Sequence, residues 1–179
     1  NIYLEIPTYK DGSWDTTVFY SREEFRDYLL SIFKEPGQYD FDETSLIFNA
    51  EGRKFQKQGY YCASPVRSKD FVKYWDDQKN KCRKGVIIHS GDKNWFISRD
   101  YYMWLNFLPI YDKEEKRFDF AKVRDAQYHL ALYEHLAELH WKHAIVLKKR
   151  QIASSYFHMA KLINQWVFEE GAVLKIGAS

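Results

Sequence analysis

Ala-Ile-Val-Leu-Lys-Lys-Arg-Gln-Ile-Ala-Ser-Ser-Tyr, residues 144–156, is the stretch that decides which fold this sequence predicts. A short apolar run ends in a basic turn with small residues, and an amphipathic segment follows at once. This order is typical of a strand that leads into a phosphate-binding loop and a helix N-terminus, where backbone N–H groups converge and the helix dipole favours negative charge. A plain basic turn between a strand and a helix has the same spacing, so both interpretations stay open.

The loop differs from the standard phosphate-binding motif G-x-x-x-x-G-K-[ST]. In an alignment with it, Lys148 stands at the first glycine and Ala153 at the second. Ser154 stands at the lysine, and Ser155 keeps the hydroxyl. The pattern predicts that a lysine from the start of the loop reaches the phosphates and that Ser155 ligates Mg²⁺.

Length and charge limit the class of protein. A chain of 179 residues suits one ordinary domain or two small ones, and its formal net charge of +2 means that any surface for nucleic acid is local. No apolar run approaches the ~20 residues that cross a bilayer, and we expect no signal peptide. Cys62 and Cys82 lack the spacing of a zinc site, so we expect reduced thiols.

Apolar periodicity, caps and breakers place the secondary structure. Helices are predicted at 21–34, 68–84, from 98 to a stop at Pro109, 123–140 and 154–168. Strands are predicted at 46–48, 86–88, 95–97, 143–147 and 172–176, with the second and third forming a hairpin. The charged stretch 112–117 is predicted to be a solvated loop and a boundary. It separates an N-terminal lid or adaptor subdomain, 1–111, from the start of an ATPase domain, 118–179.

The second half has the order helix, strand, loop, helix, strand, which predicts a right-handed βαβ crossover with parallel strands. The predicted fold class is α/β. It is the opening βαβ unit of a P-loop NTPase sheet of the RecA/ASCE type, preceded by a mixed α+β subdomain rich in aromatic residues. Two parallel strands do not make a stable sheet, so we expect a truncated chain, the front part of a longer protein.

A second signal lies at the start of the long helix, where Arg-Asp-Ala-Gln occupies 124–127. A glutamine amide offers donors and an acceptor that match the edge of adenine. Gln127 can therefore hold the base while Lys148 and Ser155 hold the phosphates. The alternative is that Arg124 and Asp125 are surface charges of the first turn and that Gln127 faces solvent.

Three blocks, in this order, resemble the large terminase subunit, the ATP-driven DNA-packaging motor of tailed phages. They are Lys-Gly-Val-Ile-Ile at 84–88 running through Tyr-Tyr-Met-Trp-Leu-Asn-Phe-Leu-Pro-Ile at 101–110, Arg-Asp-x-Gln at 124–127, and Lys-Lys-Arg-Gln-Ile-Ala-Ser-Ser at 148–155. The blocks are similar to a region ahead of the ATPase core, the adenine-binding Q motif and a deviant Walker A. The likeness covers residues 84–179 and is closest to terminases of crAss-like phages. Ala153-Ser154 departs from the Gly-Lys of many members, so the lysine must be Lys148 or Lys149.

The resemblance implies ATP and Mg²⁺ as cofactors. Lys148 and Arg150 are the implied catalytic residues, Lys148 at the phosphates and Arg150 in cis on the γ-phosphate. The implied nucleotide-binding residues are Arg124, Gln127, Lys148, Lys149, Arg150, Gln151, Ile152, Ala153, Ser154 and Ser155, with Ser155 on the metal ion. The implied partners are double-stranded DNA, a portal protein and a small terminase subunit. The implied assembly is a homo-oligomeric ring on the capsid in the host cytoplasm, without a membrane.

Parts of such a motor are not visible in the sequence. Val-Phe-Glu-Glu at 167–170 has the letters of a Walker B motif, but its position predicts a helix end with a polar turn. The carboxylate triad of the nuclease domain is also not visible. We therefore expect the complete protein to be an ATPase with a nuclease domain, and this segment alone to lack complete catalytic machinery.

Two other functions stay open. A helicase-like nucleic-acid translocase also combines a Q motif with a P-loop, but usually retains Gly-Lys-Thr. A non-enzymatic, aromatic-rich interaction module would use the basic loop to contact DNA phosphate or a protein.

Overall fold

A computed structural model describes residues 2, 4–10, 13–24, 27, 47–90, 93–112, 116–139, 141, 143–146 and 154–174. Besides a helical turn at 22–24, the helices are α1 (Ala50–Gln58), α2 (Lys69–Lys84), α3 (Arg99–Phe107), α4 (Asp125–Leu139) and α5 (Ser154–Phe168). The strands are β1 (Leu4–Lys10), β2 (Ser13–Phe19), β3 (Val86–Ser90), β4 (Lys93–Ile97), β5 (Ile110–Asp112) and β6 (Arg117–Asp119). The fold class is mixed α/β.

All strand pairs in this part of the chain are antiparallel. Each of the three two-stranded sheets joins neighbours in sequence, β1 with β2, β3 with β4 and β5 with β6. In the middle hairpin Val86 pairs with Ile97 and Ser90 with Lys93, which confirms the hairpin predicted from the two apolar triplets.

The short helix α3 lies at the centre of the helical layer and contacts α1, α2, α4 and α5. Its Tyr101, Trp104 and Leu105 are almost fully buried. On one side α1 approaches closely because Gly52 carries no side chain. A Cβ there would lie 2.8 Å from the Phe120 ring.

Predicted caps determine where several elements begin and end. The Ser21 hydroxyl accepts a hydrogen bond from the Glu24 backbone N–H at 3.1 Å, and the Glu24 carboxylate accepts one from the Tyr20 N–H at 2.8 Å. Ser68 caps α2 by accepting from the Phe71 N–H at 3.2 Å. Gly85 ends α2 at φ 78°, a left-handed conformation that favours glycine.

The start of α1 has no cap from its own side chains. Instead the buried Asn106 of α3 provides it, because its Oδ1 accepts from the backbone N–H groups of Glu51 at 3.0 Å and Gly52 at 3.2 Å. The Nδ2 of Asn106 donates to the carbonyls of Phe48 at 2.9 Å and Tyr102 at 3.1 Å. Three of the four hydrogen bonds therefore join α3 to the chain that enters α1, and the fourth stays within α3.

The strand predicted at 46–48 is wrong over its described residues, which form a turn entering α1. An apolar triplet has the same sequence signature in a strand and in a buried turn. Residue 46 lies outside the described residues. The segment 56–62 contains the end of α1 and an irregular connection.

Residues 143–146 and 172–174, where two strands were predicted, have no regular secondary structure. A strand needs a neighbour for its backbone groups, and no described strand pairs with either segment. Ile145 and Val173 are accordingly exposed. The βαβ unit of a P-loop sheet is thus not formed by the described residues, and residues 147, 175 and 176 lie outside them.

The predicted loop at 112–117 is wrong at both ends, because Asp112 ends β5 and Arg117 begins β6. The rings of Tyr111 and Phe118 pack at 5.4 Å between centroids and hold the two strands together. The apolar core contains residues from both sides of this hairpin, from Phe48 to Ala160. The division into a lid and an ATPase domain stays a prediction.

Among the described residues, none of the helices combines the length and the apolar character that crossing a membrane requires.

Candidate functional site

The basic loop predicted to hold phosphate lies outside the described residues. This applies to Lys148, Lys149, Arg150, Gln151, Ile152 and Ala153, whose predicted roles therefore stay predictions. The described members of the predicted site are Arg124, Gln127, Ser154 and Ser155. Two belong to the start of α4 and two to the start of α5, as the sequence predicts.

The start of α4 holds Gln127 inside the protein. The carbonyl of Arg124 accepts hydrogen bonds from the backbone N–H groups of Gln127 at 3.0 Å and Tyr128 at 2.9 Å, so it begins the helix. The Gln127 side chain is 3% exposed, whereas Arg124 is half-buried. The alternative that Gln127 faces solvent is therefore wrong.

The start of α5 presents two hydroxyls of different character. Ser154 is 1% exposed, and within the described part of the chain its Oγ has no hydrogen-bond partner. Ser155 is exposed. The first turn of this helix thus offers one buried and one open hydroxyl next to the backbone N–H groups that a helix leaves unpaired.

The two helix starts lie at the same end of the helical layer. The ring of Tyr101 in α3 packs against Tyr128 of α4 at 6.2 Å and against Phe157 of α5 at 6.1 Å between centroids. Tyr128 follows Gln127 directly, and Phe157 lies one turn after Ser154. Tyr101 therefore brings together the two segments from which the predicted base-binding and phosphate-binding residues come.

A network of ionisable side chains joins α3, α4 and α5 further along. We call it the acid–base cluster, and its members are Arg99, Glu134, Glu138, His158, Lys161 and Glu169. The Glu134 carboxylate contacts His158 Nε2 at 2.6 Å and accepts from Lys161 Nζ at 2.8 Å. Lys161 also reaches Glu138 at 2.7 Å. Arg99 then joins Glu138 at 3.2 Å to Glu169 at 2.6 Å.

The order of these pairs shows that α4 and α5 run in the same direction. Glu134 meets His158 and Lys161, and Glu138, one turn later, meets Lys161 again and then, through Arg99, Glu169. The end of α4 and the start of α5 are therefore roughly 22 Å apart, the length of α4 at 1.5 Å per residue. The fourteen residues 140–153 can extend to about 46 Å, which is enough to span this distance.

Burial and pairing shift the pKa values in the cluster. Burial works to raise the pKa of Glu134, but hydrogen bonds from His158 and Lys161 outweigh it and lower that pKa. The hydrogen bond to Glu134 raises the pKa of His158, whose ring also hydrogen-bonds the backbone of Ser154. The carboxylates of Glu134 and Glu138 overcome burial and raise the pKa of Lys161. The pairing within the cluster therefore favours the ionised forms of Glu134, His158 and Lys161.

The His158–Glu134 pair should make stability depend on pH. Because the folded-state pKa of His158 is raised, its contribution is complete below the unfolded value near 6.5 and is lost as the pH rises through the folded value. We expect His158→Gln to lose stability relative to the wild type at pH 6 and to approach it at pH 9. Urea unfolding of both proteins at pH 6, 7, 8 and 9 measures this.

Burial lowers the pKa of His135, so this residue changes stability with pH in the opposite direction. His135 is present in both proteins, and its contribution cancels in the difference between their free energies of unfolding. A gap between the two proteins that is constant from pH 6 to pH 9 would contradict the role of His158.

A buried carboxyl next to the cluster was also missed by sequence reasoning. Asp100 accepts from Asn164 Nδ2 at 2.8 Å, and the same Nδ2 donates to the Cys82 carbonyl at 2.9 Å. Burial raises the pKa of Asp100 to about 6. The sequence signal was present, since an asparagine among the apolar residues of α5 is unusual in a core. Its partners could not be read from spacing.

The described residues contain no group of histidine, cysteine and carboxylate side chains suited to a metal ion, and their two cysteines are free. Of the residues predicted to lie at a nucleotide-bound Mg²⁺, Ser155 is described and exposed, and the basic loop before it lies outside the described residues. Val167 and Phe168 end α5, and Glu169 then pairs with Arg99. This confirms the prediction of a helix end with a polar turn at 167–170.

No family model matches the chain, and comparison with curated proteins and solved structures finds no significant likeness.

Proposed function

We propose that this chain binds ATP–Mg²⁺ at the start of α5, as the N-terminal part of a terminase-type DNA-packaging ATPase. The observation that supports this most is the meeting of Tyr128 and Phe157 on Tyr101. This packing brings the start of α4, which contains Gln127, to the end of the helical layer where Ser154 and Ser155 begin α5.

In the proposed site the start of α5 binds the phosphates of the nucleotide and the start of α4 binds its base. The backbone N–H groups of the first turn of α5 and the lysine ahead of it bind the phosphates, and Ser155 ligates Mg²⁺. Gln127 and Arg124 hold the base. Arg150 stabilises charge on the transferring phosphoryl group. Hydrolysis belongs to the complete protein, with the missing acidic residues supplied outside this segment.

The direction of the helices supports the same proposal for the fold. Two parallel helices that follow each other in the chain are compatible with a P-loop unit, in which a strand and a loop connect them. In the proposed motor the segment 143–147 pairs with further strands. Double-stranded DNA, a portal protein, a small terminase subunit and a ring of copies are the proposed partners.

The lysine assignment is tested with two matched substitutions. We expect Lys148→Ala to weaken binding of a fluorescent ATP analogue with Mg²⁺ at least tenfold, because the ammonium is lost from the phosphates. Lys142 precedes residues 143–147 in sequence and does not belong to the basic loop. Lys142→Ala should therefore leave binding within twofold. In the complete protein, hydrolysis should follow the same order, and equal binding and activity in both variants would reject the assignment.

The base assignment predicts a change in nucleotide preference. Gln127→Ala should reduce the preference for ATP over GTP about tenfold, since a bidentate amide–adenine contact is worth roughly 1–3 kcal/mol. Competition of each nucleotide against the fluorescent analogue measures this. Circular dichroism checks the fold, because Gln127 is buried. If a folded variant keeps its preference, Gln127 has a structural role only.

These experiments also separate the proposal from its alternatives. Nucleotide binding without DNA-dependent hydrolysis in the complete protein would contradict both motor functions. No nucleotide binding, together with salt-dependent binding of DNA by the basic loop, would favour the interaction module.

A further inference from the structure

The acid–base cluster and its buried neighbour Asp100 contain more acidic groups than permanent cations. Their four carboxyl groups are those of Asp100, Glu134, Glu138 and Glu169. Their two permanent cations are Arg99 and Lys161. Asp100 is 3% exposed and Glu134 is 6% exposed, so water does little to compensate their charge. With every carboxyl ionised and His158 neutral, four negative charges against two positive ones would leave a net charge of −2.

The ionisable groups that α2 and α4 add around this set do not supply the missing positive charge. From α2, the Cys82 thiol faces Asp100, and burial raises the pKa of this thiol to about 12, so it is neutral near pH 7. From α4, burial lowers the pKa of His135 and favours its neutral form. Arg83 of α2 is exposed and lies over the Phe168 ring at 5.4 Å, at the edge of the layer.

The contact between Asp100 and Asn164 leaves one hydrogen-bond acceptor unused. Asn164 Nδ2 donates to Asp100 Oδ1 at 2.8 Å and to the Cys82 carbonyl at 2.9 Å, which fixes the orientation of the amide. Asn164 is 2% exposed, and within the described ranges its Oδ1 has no hydrogen-bond partner. An ionised carboxylate can only accept, whereas a neutral carboxyl group adds one O–H donor. A proton on Asp100 therefore supplies a donor beside the acceptor that lacks one.

The ring of His158 also favours a bound proton. Its Nε2 lies 2.6 Å from a carboxylate oxygen of Glu134, and the ring hydrogen-bonds the backbone of Ser154 as well. Both hydrogen bonds favour the charged ring, first the one to Glu134 and then the one to Ser154. The charged ring donates from both nitrogens, whereas the neutral ring has a single N–H.

We infer that the contact of α5 with α3 and α4 is a proton-operated switch, in which Asp100 and His158 each take up one proton as the solution changes from alkaline to mildly acidic. The two protons bring the net charge of the set from −2 to zero. Asp100 contacts α5 through Asn164, and His158 is part of α5, so both protons strengthen the attachment of α5. The inference uses charge, burial and hydrogen bonding, and it does not depend on nucleotide binding.

The pKa directions give the pH range in which each proton acts. Burial raises the pKa of Asp100 to about 6, so the folded chain holds this proton more tightly than the unfolded chain, and that stability is lost as the pH rises through about 6. The contribution of His158, whose pKa the hydrogen bond to Glu134 raises, is lost at higher pH, above the ordinary value of 6.5. Toward more acidic pH, protonation of Glu134 opposes both, because the pairing of Glu134 lowers its pKa.

Asp100→Asn tests the first proton, because the amide keeps the shape of the carboxyl group and cannot ionise. Urea unfolding of the full chain gives the folding equilibrium constant at pH 5 and at pH 8. The ratio of this constant in the variant to that in the wild type should rise about tenfold from pH 5 to pH 8, since only the wild type gains a buried charge. His135 and Glu134 are present in both proteins, so their contributions cancel.

Asp76→Asn is the matched control. The Asp76 side chain is 59% exposed, so its charge stays in water in the folded and in the unfolded chain, and its ratio should stay within twofold. A ratio for Asp100→Asn that is constant or falls with pH would show that Asp100 stays ionised beside Arg99. That result would overturn the inference.

Carbon-13 NMR of the wild type gives a second measurement, which does not require the variant to fold. The Asp100 carboxyl signal should titrate near pH 6, and the His158 ring signals should titrate above pH 6.5. Adding His158→Gln to Asp100→Asn should then remove most of the loss of stability between pH 5 and pH 8. Titration of Asp100 near its ordinary value of 3.8, or of His158 below 6.5, would also overturn the inference.

Discussion

Asn106→Leu should destabilise the protein by about 4 kcal/mol, because four backbone groups, three of them in buried hydrogen bonds, lose the amide that they bond. The substitution removes the cap of α1 and both donations from Nδ2. Asn106 is 1% exposed, so water cannot replace the lost partners without opening the core. For a chain of this size such a loss lowers Tm by roughly 8–16 °C.

Two further variants separate capping from side-chain shape. Asn106→Asp keeps an acceptor for the N–H groups of α1 but loses both donors, so it should cost less than Asn106→Leu. Asn80→Leu makes the same replacement at an exposed position of α2 and should change stability by less than about 0.5 kcal/mol. Thermal and urea unfolding measure all three. Similar losses for Asn106→Leu and Asn80→Leu would contradict the capping role.

Glu134→Gln should cost about 2–3 kcal/mol at pH 7. The change leaves Lys161 and His158 without the carboxylate that both contact, and Glu134 is buried. Breaking a fully buried pair costs about 3–5 kcal/mol, and the lower figure follows because Lys161 keeps Glu138. Urea unfolding measures the loss, with exposed Glu170→Gln as the matched control.

A double variant shows whether the loss of stability comes from the lost attraction or from the unpaired charge that Lys161 keeps inside the protein. If the cost arises because Lys161 stays charged inside the protein, adding Lys161→Met to Glu134→Gln should recover part of the stability. A loss of stability in the double variant equal to the sum of the two single losses would show that the two side chains contribute independently of each other.

Within the described ranges, helices were predictable from sequence where a cap and a breaker stand at their ends, whereas most of the helix predicted at 21–34 lies outside those ranges. Ser68 and Gly85 bracket α2, and α5 begins and ends at the predicted residues 154 and 168. The turn before α1 was not predictable, because its cap comes from Asn106, more than fifty residues later. The segments 143–146 and 172–174 have strand composition, but a strand forms only where a neighbour supplies hydrogen bonds.

The candidate site was predictable in part. The start of α5 and the position of Gln127 near the start of α4 follow from periodicity. The burial of Gln127 does not, because it depends on packing within the helical layer. The acid–base cluster was out of reach of sequence reasoning, since Arg99, Glu134 and His158 come from three helices and carry no motif.

The central position of α3 has a consequence for how the protein opens. Each of the other four helices in the described part of the chain contacts α3, so the release of any one of these helices uncovers only one side of α3. The amide hydrogens of α3 should therefore be the last to exchange with heavy water, and only when the whole layer unfolds. The helical layer would then melt as one cooperative unit, with α3 as its slowest-exchanging core.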